Sequence, residues 1–253
     1  MTDDVTDDRG RERPFVFAVL ITLLMLVFPV GSGAIATIMN LDAVQSRLTQ
    51  AAAFAVAAAL GLFIARQRFG DVGAVGLQRV QRLDLRALLW LAPIVAVELS
   101  TLAFGFKPEL NGTLVASMIV LTAAVGFAEE LYFRGLIPAF LTAQSVPTQI
   151  VVSSALFSVG HFFNLMAGAP LGATLLQVVF AFIFGAVAVQ IRMMTGSLLI
   201  PVIWHVAHNL ISQLTNAPDG STGLLCGLAQ GTVVAAYAIW LWARTGHRRA
   251  ILR

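Results

Sequence analysis

The stretch GTLVASMIVLTAAVGFAEELYFRGLIPAF, residues 112–140, decides how the chain is read. From Gly112 to Ala128 it carries no charged side chain; Glu129, Glu130 and Arg134 then arrive together before the apolar pattern resumes. A membrane-spanning helix needs about 20 mostly apolar residues, and this stretch is long enough. Hydrocarbon rejects ionised side chains unless they are paired or hydrated. The segment therefore predicts a spanning helix that turns its ionisable groups toward a protein interior, so fold and candidate chemistry come from the same residues.

The rest of the chain agrees. Its 253 residues are 58% hydrophobic and 11% charged, with a mean hydropathy of +0.85, far more apolar than a domain that must wet its surface. Apolar blocks predict an all-α, polytopic membrane helix bundle with about eight transmembrane helices. They lie near residues 14–38, 48–66, 87–106, 112–140, 147–166, 171–191, 196–213 and 222–243. The first block, Pro14 to Met39, is too long for the apolar core of a signal peptide and is expected to stay as a span. The organisation that follows is a disordered cytoplasmic tail at 1–13, N-terminal transmembrane helices at 14–110, a core at 111–213, and a last helix with a basic tail at 214–253. The longest polar break, Gln67 to Leu85, is expected to form a cytoplasmic surface helix.

Orientation is read from the basic residues. With eight spans and a cytoplasmic N-terminus, 13 of the 16 lysines and arginines fall on the inside, Arg47 and Lys107 on the outside, and Arg134 within a span. That asymmetry follows the positive-inside rule and places both termini in the cytoplasm. The net charge of +3 then reflects topology and lipid headgroups, which argues against a nucleic-acid partner. Cys226, the one cysteine, permits no intramolecular disulfide and no cysteine-based metal site. The preference for arginine, 15 against a single lysine, fits a GC-rich bacterial genome and hence a bacterial plasma membrane.

Few ionisable residues fall inside the spans: Glu98, the run Glu129–Arg134, His161, His205 and His208, the last two beside Asn209. Each is a functional candidate by default. Glu130 and Arg134 are one turn apart and can pair within one helix. Glu129, about 100° round the helix, is then left to take a proton from water. His205 and Asn209 share a face, and histidine or asparagine N–H groups can donate to an oxyanion. A carboxylate base, a histidine partner and a donor pair are the parts peptide-bond hydrolysis requires. Glu98 reads as a buried acid bonded to a neighbouring helix, and His208 as a supporting residue. Trp204, Trp240 and Trp242 fit interfacial anchoring at least as well as substrate contact. Asn216–Gly220 reads as a turn.

Three motifs in order, Glu129-Glu130-x-x-x-Arg134-Gly135, Phe157-x-x-x-His161 and His205-x-x-x-Asn209, each on its own span, resemble the CAAX prenyl protease and bacteriocin-processing (CPBP, or Abi) family of intramembrane endopeptidases. The resemblance covers roughly residues 115–213. It implies a site inside the bilayer, open to the cytoplasm, with Glu129 as general base and His161 helping to activate the water. It further implies that Glu130 and Arg134 support the site while His205 and Asn209 stabilise the oxyanion. The implied substrate is a membrane-associated peptide or protein, prenylated or bacteriocin-like. Members are commonly labelled metalloproteases, and a metal-free glutamate mechanism has also been proposed. Two histidines and a carboxylate are a zinc-ligand set in type, so Glu129, His161 and His205 stand as candidate metal ligands, although no HExxH is present. Two rivals remain: a non-proteolytic membrane scaffold or immunity protein of the same fold, and a proton-coupled transporter, which would more often show a repeated half.

Overall fold

The computed structural model describes residues 13–80, 90–166, 168–216, 218 and 220–251, with side chains through Arg244. Among them there are helices and turns and no strand. The helices are α1 (Pro14–Ile38), α2 (Ala43–Phe69), α3 (Ala92–Leu102), α4 (Gly112–Glu130), α5 (Ile137–Phe140), α6 (Val146–Val159), α7 (Leu171–Thr195), α8 (Leu199–Leu214) and α9 (Gly220–Ile251). A π-helical turn, Leu131–Leu136, joins α4 to α5, and a 3₁₀ turn, Gly160–Leu165, extends α6. The protein is an all-α membrane bundle.

The element boundaries have local causes. Asp42 begins α2 with a capping box to Gln45, Asn111 accepts the Leu114 amide at 3.0 Å to start α4, and Ser145 starts α6 with Pro147 in its first turn. Each cap satisfies amides that have no intrahelical partner. Gly70 and Gly196 end α2 and α7 in the left-handed conformation, which glycine adopts without steric cost.

Among the described residues six helices are long and apolar enough to cross a membrane: Pro14–Ile38, Ala43–Phe69, Gly112–Phe140, Val146–Leu165, Leu171–Thr195 and Gly220–Arg244. The other two expected spans are shorter. The block at 87–106 holds the 11-residue helix α3, about 16 Å at 1.5 Å per residue; residues 87–89 lie outside the described residues. The block at 196–213 holds α8, 16 residues, or about 24 Å. Helix α8 nevertheless runs from one end of the bundle to the other. At its start, Leu198 N donates to Gly76 O and Gln78 Nε2 to Gly196 O. At its end, Lys107 Nζ donates to Gln213 O at 2.9 Å and Asn216 Nδ2 to Phe106 O. Its polar residues need protein rather than lipid around them, and at 16 residues it is too short to cross a bilayer as a free-standing span.

The expected surface helix at 67–85 is not formed over the residues described. Helix α2 continues to Phe69, and a 3₁₀ turn at Val72–Val75 docks inward. Val75 is fully buried against Gly135, where an added Cβ would lie 2.9 Å from the Val75 carbonyl. Arg192 Nη2 closes this contact by donating to Ala74 O. Residues 81–85 lie outside the described residues, as do 1–12, where the disordered tail is expected.

The centre of the bundle is made by α2 and α8 packing on either side of α4, with α7 bridging α6 and α9. Small residues set the close approaches, the usual device where lipid offers no hydrophobic drive for association. A Cβ on Gly126 of α4 would sit 2.7 Å from Val206 Cγ2 of α8. One on Gly61 of α2 would sit 2.7 Å from the Tyr132 ring. Outward-facing Leu23, Val27, Leu176, Val179 and Ile239 are exposed, as expected of side chains meeting acyl chains.

Candidate active site

The π turn is the local feature that shapes the site, and Pro138 accounts for it. Proline has no amide hydrogen and its ring crowds the carbonyl four residues earlier, so an α register cannot run through it. In the π register, where residue i bonds to i−5, the carbonyl left without a donor is that of Phe133. Ser153 of α6, fully buried, donates its hydroxyl to that carbonyl. Tyr132 ties the other side of the turn to α2 by donating to Ala57 O at 3.0 Å. The turn that carries Arg134 is therefore held from two helices.

At its mouth four charged or chargeable side chains meet. Glu130 Oε1 accepts from His205 Nδ1 at 2.7 Å and faces Arg134 Nη1 at 3.2 Å. Glu129 Oε2 lies 3.5 Å from His205 Nε2. Glu130 and Arg134 are completely buried, whereas the Glu129 side chain is 20% exposed. The two neighbouring glutamates thus have different surroundings: one sealed between a guanidinium and an imidazole, the other open on one side. His205 lies within ion-pair distance of both.

Aromatic rings wall the group. The Arg134 guanidinium lies 4.0 Å from the Phe157 ring centroid and 5.7 Å from that of Phe184, so donors without a protein acceptor rest on π faces. The Phe157 ring also meets His161, at 5.0 Å, and His205, at 5.9 Å.

His161 sits where α6 gives way to the 3₁₀ turn. Its Nδ1 donates to Phe157 O at 3.2 Å, which directs the lone pair to Nε2. Among the described residues no ion pair joins it to either glutamate, and it shares the Phe157 wall with the charged group. Asn209, one turn after His205 on α8, is partly exposed and its amide makes no hydrogen bond among the described residues. The expected six residues therefore divide: Glu129, Glu130, Arg134 and His205 are in contact, His161 is one ring away, and Asn209 lies one turn along the same helix.

Three further residues gather on the adjacent face of α8. Glu98 Oε1 accepts from Trp204 Nε1 at 2.9 Å and from His208 Nδ1 at 3.0 Å. Trp204 is buried and stacked on Phe184, with ring centroids 3.9 Å apart. It is an internal hydrogen-bond donor rather than the interfacial anchor its composition suggests. Trp240 is anchored differently, stacked on Tyr237 under the Arg244 guanidinium.

The candidate metal ligands do not converge. The bonds from His205 Nδ1 to Glu130 and from His161 Nδ1 to a carbonyl leave Nε2 as the nitrogen either ring could offer an ion, but among the described residues no three His, Cys, Asp or Glu side chains form a group able to hold one. A catalytic zinc site needs three protein ligands at about 2.0–2.2 Å, and Glu129, His161 and His205 as arranged do not supply it.

Residues 111–211 match the sequence model of a family described as type II CAAX prenyl endopeptidase Rce1-like. The matched segment runs from the N-cap of α4 into the last turn of α8 and contains every residue of the charged group. No curated protein matches the chain.

Proposed function

We infer, for a membrane protein whose residues 111–211 belong to the type II CAAX prenyl endopeptidase Rce1-like family, that the Glu129–His205 group hydrolyses a peptide bond in a membrane-associated substrate. The observation that carries this reading is His205 held between two glutamates of unequal exposure. Glu130 and Arg134 fix the imidazole from the buried side. Glu129, on the open side, takes a proton from a water molecule oriented by His161 Nε2, which is available as an acceptor because Nδ1 donates to Phe157 O. The water oxygen attacks the scissile carbonyl carbon. His205 Nε2–H and the Asn209 amide donate to the oxyanion that develops, the largest single stabilising effect in acyl transfer. Glu129 returns the proton to the departing amine as the C–N bond breaks.

The substrate class is a peptide tethered to the bilayer by a lipid group or its own apolar segment, since the site lies within the bundle rather than in a soluble domain. A bacterial plasma membrane and cytoplasmic termini fit the arginine distribution.

The test is cleavage of a farnesylated fluorogenic peptide and its unprenylated twin by purified protein, compared with Glu129→Gln, His161→Ala and His205→Ala. The expected result is turnover by the parent and loss in all three variants. Equal turnover in all four would overturn the reading, and a folded parent that cleaves neither peptide would favour the scaffold alternative. A strong chelator and metal analysis on the same sample read any contribution from a bound ion.

A further inference from the structure

Glu98 lies on α3, outside the matched segment 111–211. It is buried, at 7% exposure, and its carboxylate bonds two side chains of one helix. Trp204 and His208 are i and i+4 on α8, so both bonds grip a single face. His205 and Asn209 are also i and i+4, displaced by one residue, or about 100° round the same helix. Each face thus has its own carboxylate: Glu130 reaches His205 at 2.7 Å, and Glu98 reaches His208 at 3.0 Å.

We propose that Glu98 is a positioning residue for hydrolysis, setting the rotation of α8 through Trp204 and His208 so that His205 and Asn209 face Glu129. This deepens the endopeptidase reading and rests on it. Two carboxylates pulling on adjacent faces fix a rotation that either alone leaves soft. A side-chain atom about 6 Å from a helix axis moves roughly 1 Å for every 10° of rotation, and a misplacement of about 1 Å can cost on the order of 10²-fold in rate. Packing supplies the pivot: Gly126 brings the α4 and α8 backbones into contact at Val206, on the side of α8 opposite Trp204 and His208 and flanking the His205/Asn209 face. His208 is also held by its stack on Phe180, with ring centroids 5.3 Å apart, so the Glu98 bond acts on a side chain with little freedom of its own.

The hydrogen bonds specify a second, independent signature. A carboxylate at Glu98 selects the His208 tautomer with hydrogen on Nδ1. Glu98 Oε1 serves both Trp204 Nε1 and His208 Nδ1, and Oε2 lies 3.3 Å from His208 Nδ1. In Glu98→Gln the amide NH₂ takes the Oε2 place and faces the hydrogen on His208 Nδ1, which favours the tautomer with hydrogen on Nε2. Glu98→Ala strips the buried Trp204 of its acceptor and risks the fold; Glu98→Gln preserves volume and is the decisive variant.

The experiment uses full-length protein labelled with ¹⁵N-histidine in lipid nanodiscs, together with kinetics on the farnesylated peptide. The expected result for Glu98→Gln is a His208 tautomer switch, a displaced His205 ¹⁵N signal, kcat down about tenfold and KM within twofold of the parent. An unmoved His205 signal overturns the proposal, as does parental kcat in the folded variant, including one with a lowered melting temperature. The histidine signals need no turnover. A parent that cleaves nothing would sink the endopeptidase reading, while the His205 shift would still decide whether Glu98 sets the rotation of α8.

Discussion

Helix α8 presents two faces that are alike in plan and different in charge. On one, His205 bonds Glu130, whose charge is answered by Arg134, with Glu129 and its partly open carboxylate alongside. On the other, His208 bonds Glu98, which takes its second hydrogen bond from Trp204. Both are carboxylate–histidine pairs inside an apolar bundle. The first has a spare carboxylate and a buried guanidinium, so it can accept a proton without losing its architecture. The second has neither, and its bonds go to holding the helix. On the proposed endopeptidase reading, the comparison teaches that an intramembrane histidine paired with a carboxylate is not by itself a reaction centre; a second acid of different exposure is what would make it one.

That contrast can be broken experimentally. The largest effect is expected at the spare carboxylate: Glu129→Gln should lower cleavage of the farnesylated peptide about 10²–10⁴-fold, the usual worth of a positioned general base, with folding intact. A loss of the same size in Glu98→Gln would erase the distinction between the faces. Next is Arg134→Leu, which leaves Glu130 buried without its cation. Breaking a buried pair costs about 3–5 kcal/mol, to be read as denaturant unfolding in mild detergent. Ser153→Ala should cost about 1–3 kcal/mol by leaving the Phe133 carbonyl without a donor, and should reduce activity through the π turn that carries Arg134. The smallest effect is expected at Gln230, which donates to Ser100 and Thr101 at 3.0 Å and links α9 to the Glu98 helix. Gln230→Leu should cost about 0.6 kcal/mol, the average for interhelical hydrogen bonds in membranes, with kcat unchanged.

The two faces also differ in how far the sequence discloses them. Glu129, Glu130, Arg134 and His205 are legible because charge within an apolar run is anomalous and helical spacing pairs the members. The family resemblance at 115–213 falls on nearly the segment, 111–211, that the family match covers. Glu98 and His208 are visible as ionisable residues, but their bond joins residues 110 positions apart, and no local periodicity reports such a contact. Trp204 misleads because tryptophan is common both at interfaces and as a buried donor; its partner decides. The π turn is hidden for a different reason. Pro138 announces that an α register must yield, whereas the outcome depends on Ser153 arriving from α6 with a hydroxyl. Helix α8 was expected as a span of 196–213 and is shorter, since a helix with polar groups on two faces is solvated by its neighbours and need not match the bilayer by itself.

The most direct test of the central claim is mass spectrometry of the farnesylated peptide after incubation with purified protein in H₂¹⁸O. The account predicts a single cleavage, one ¹⁸O in the new carboxyl group, no acylated protein, and no product above background with Glu129→Gln. Equal labelled product from Glu129→Gln, or a covalent acyl adduct on the protein, would contradict it.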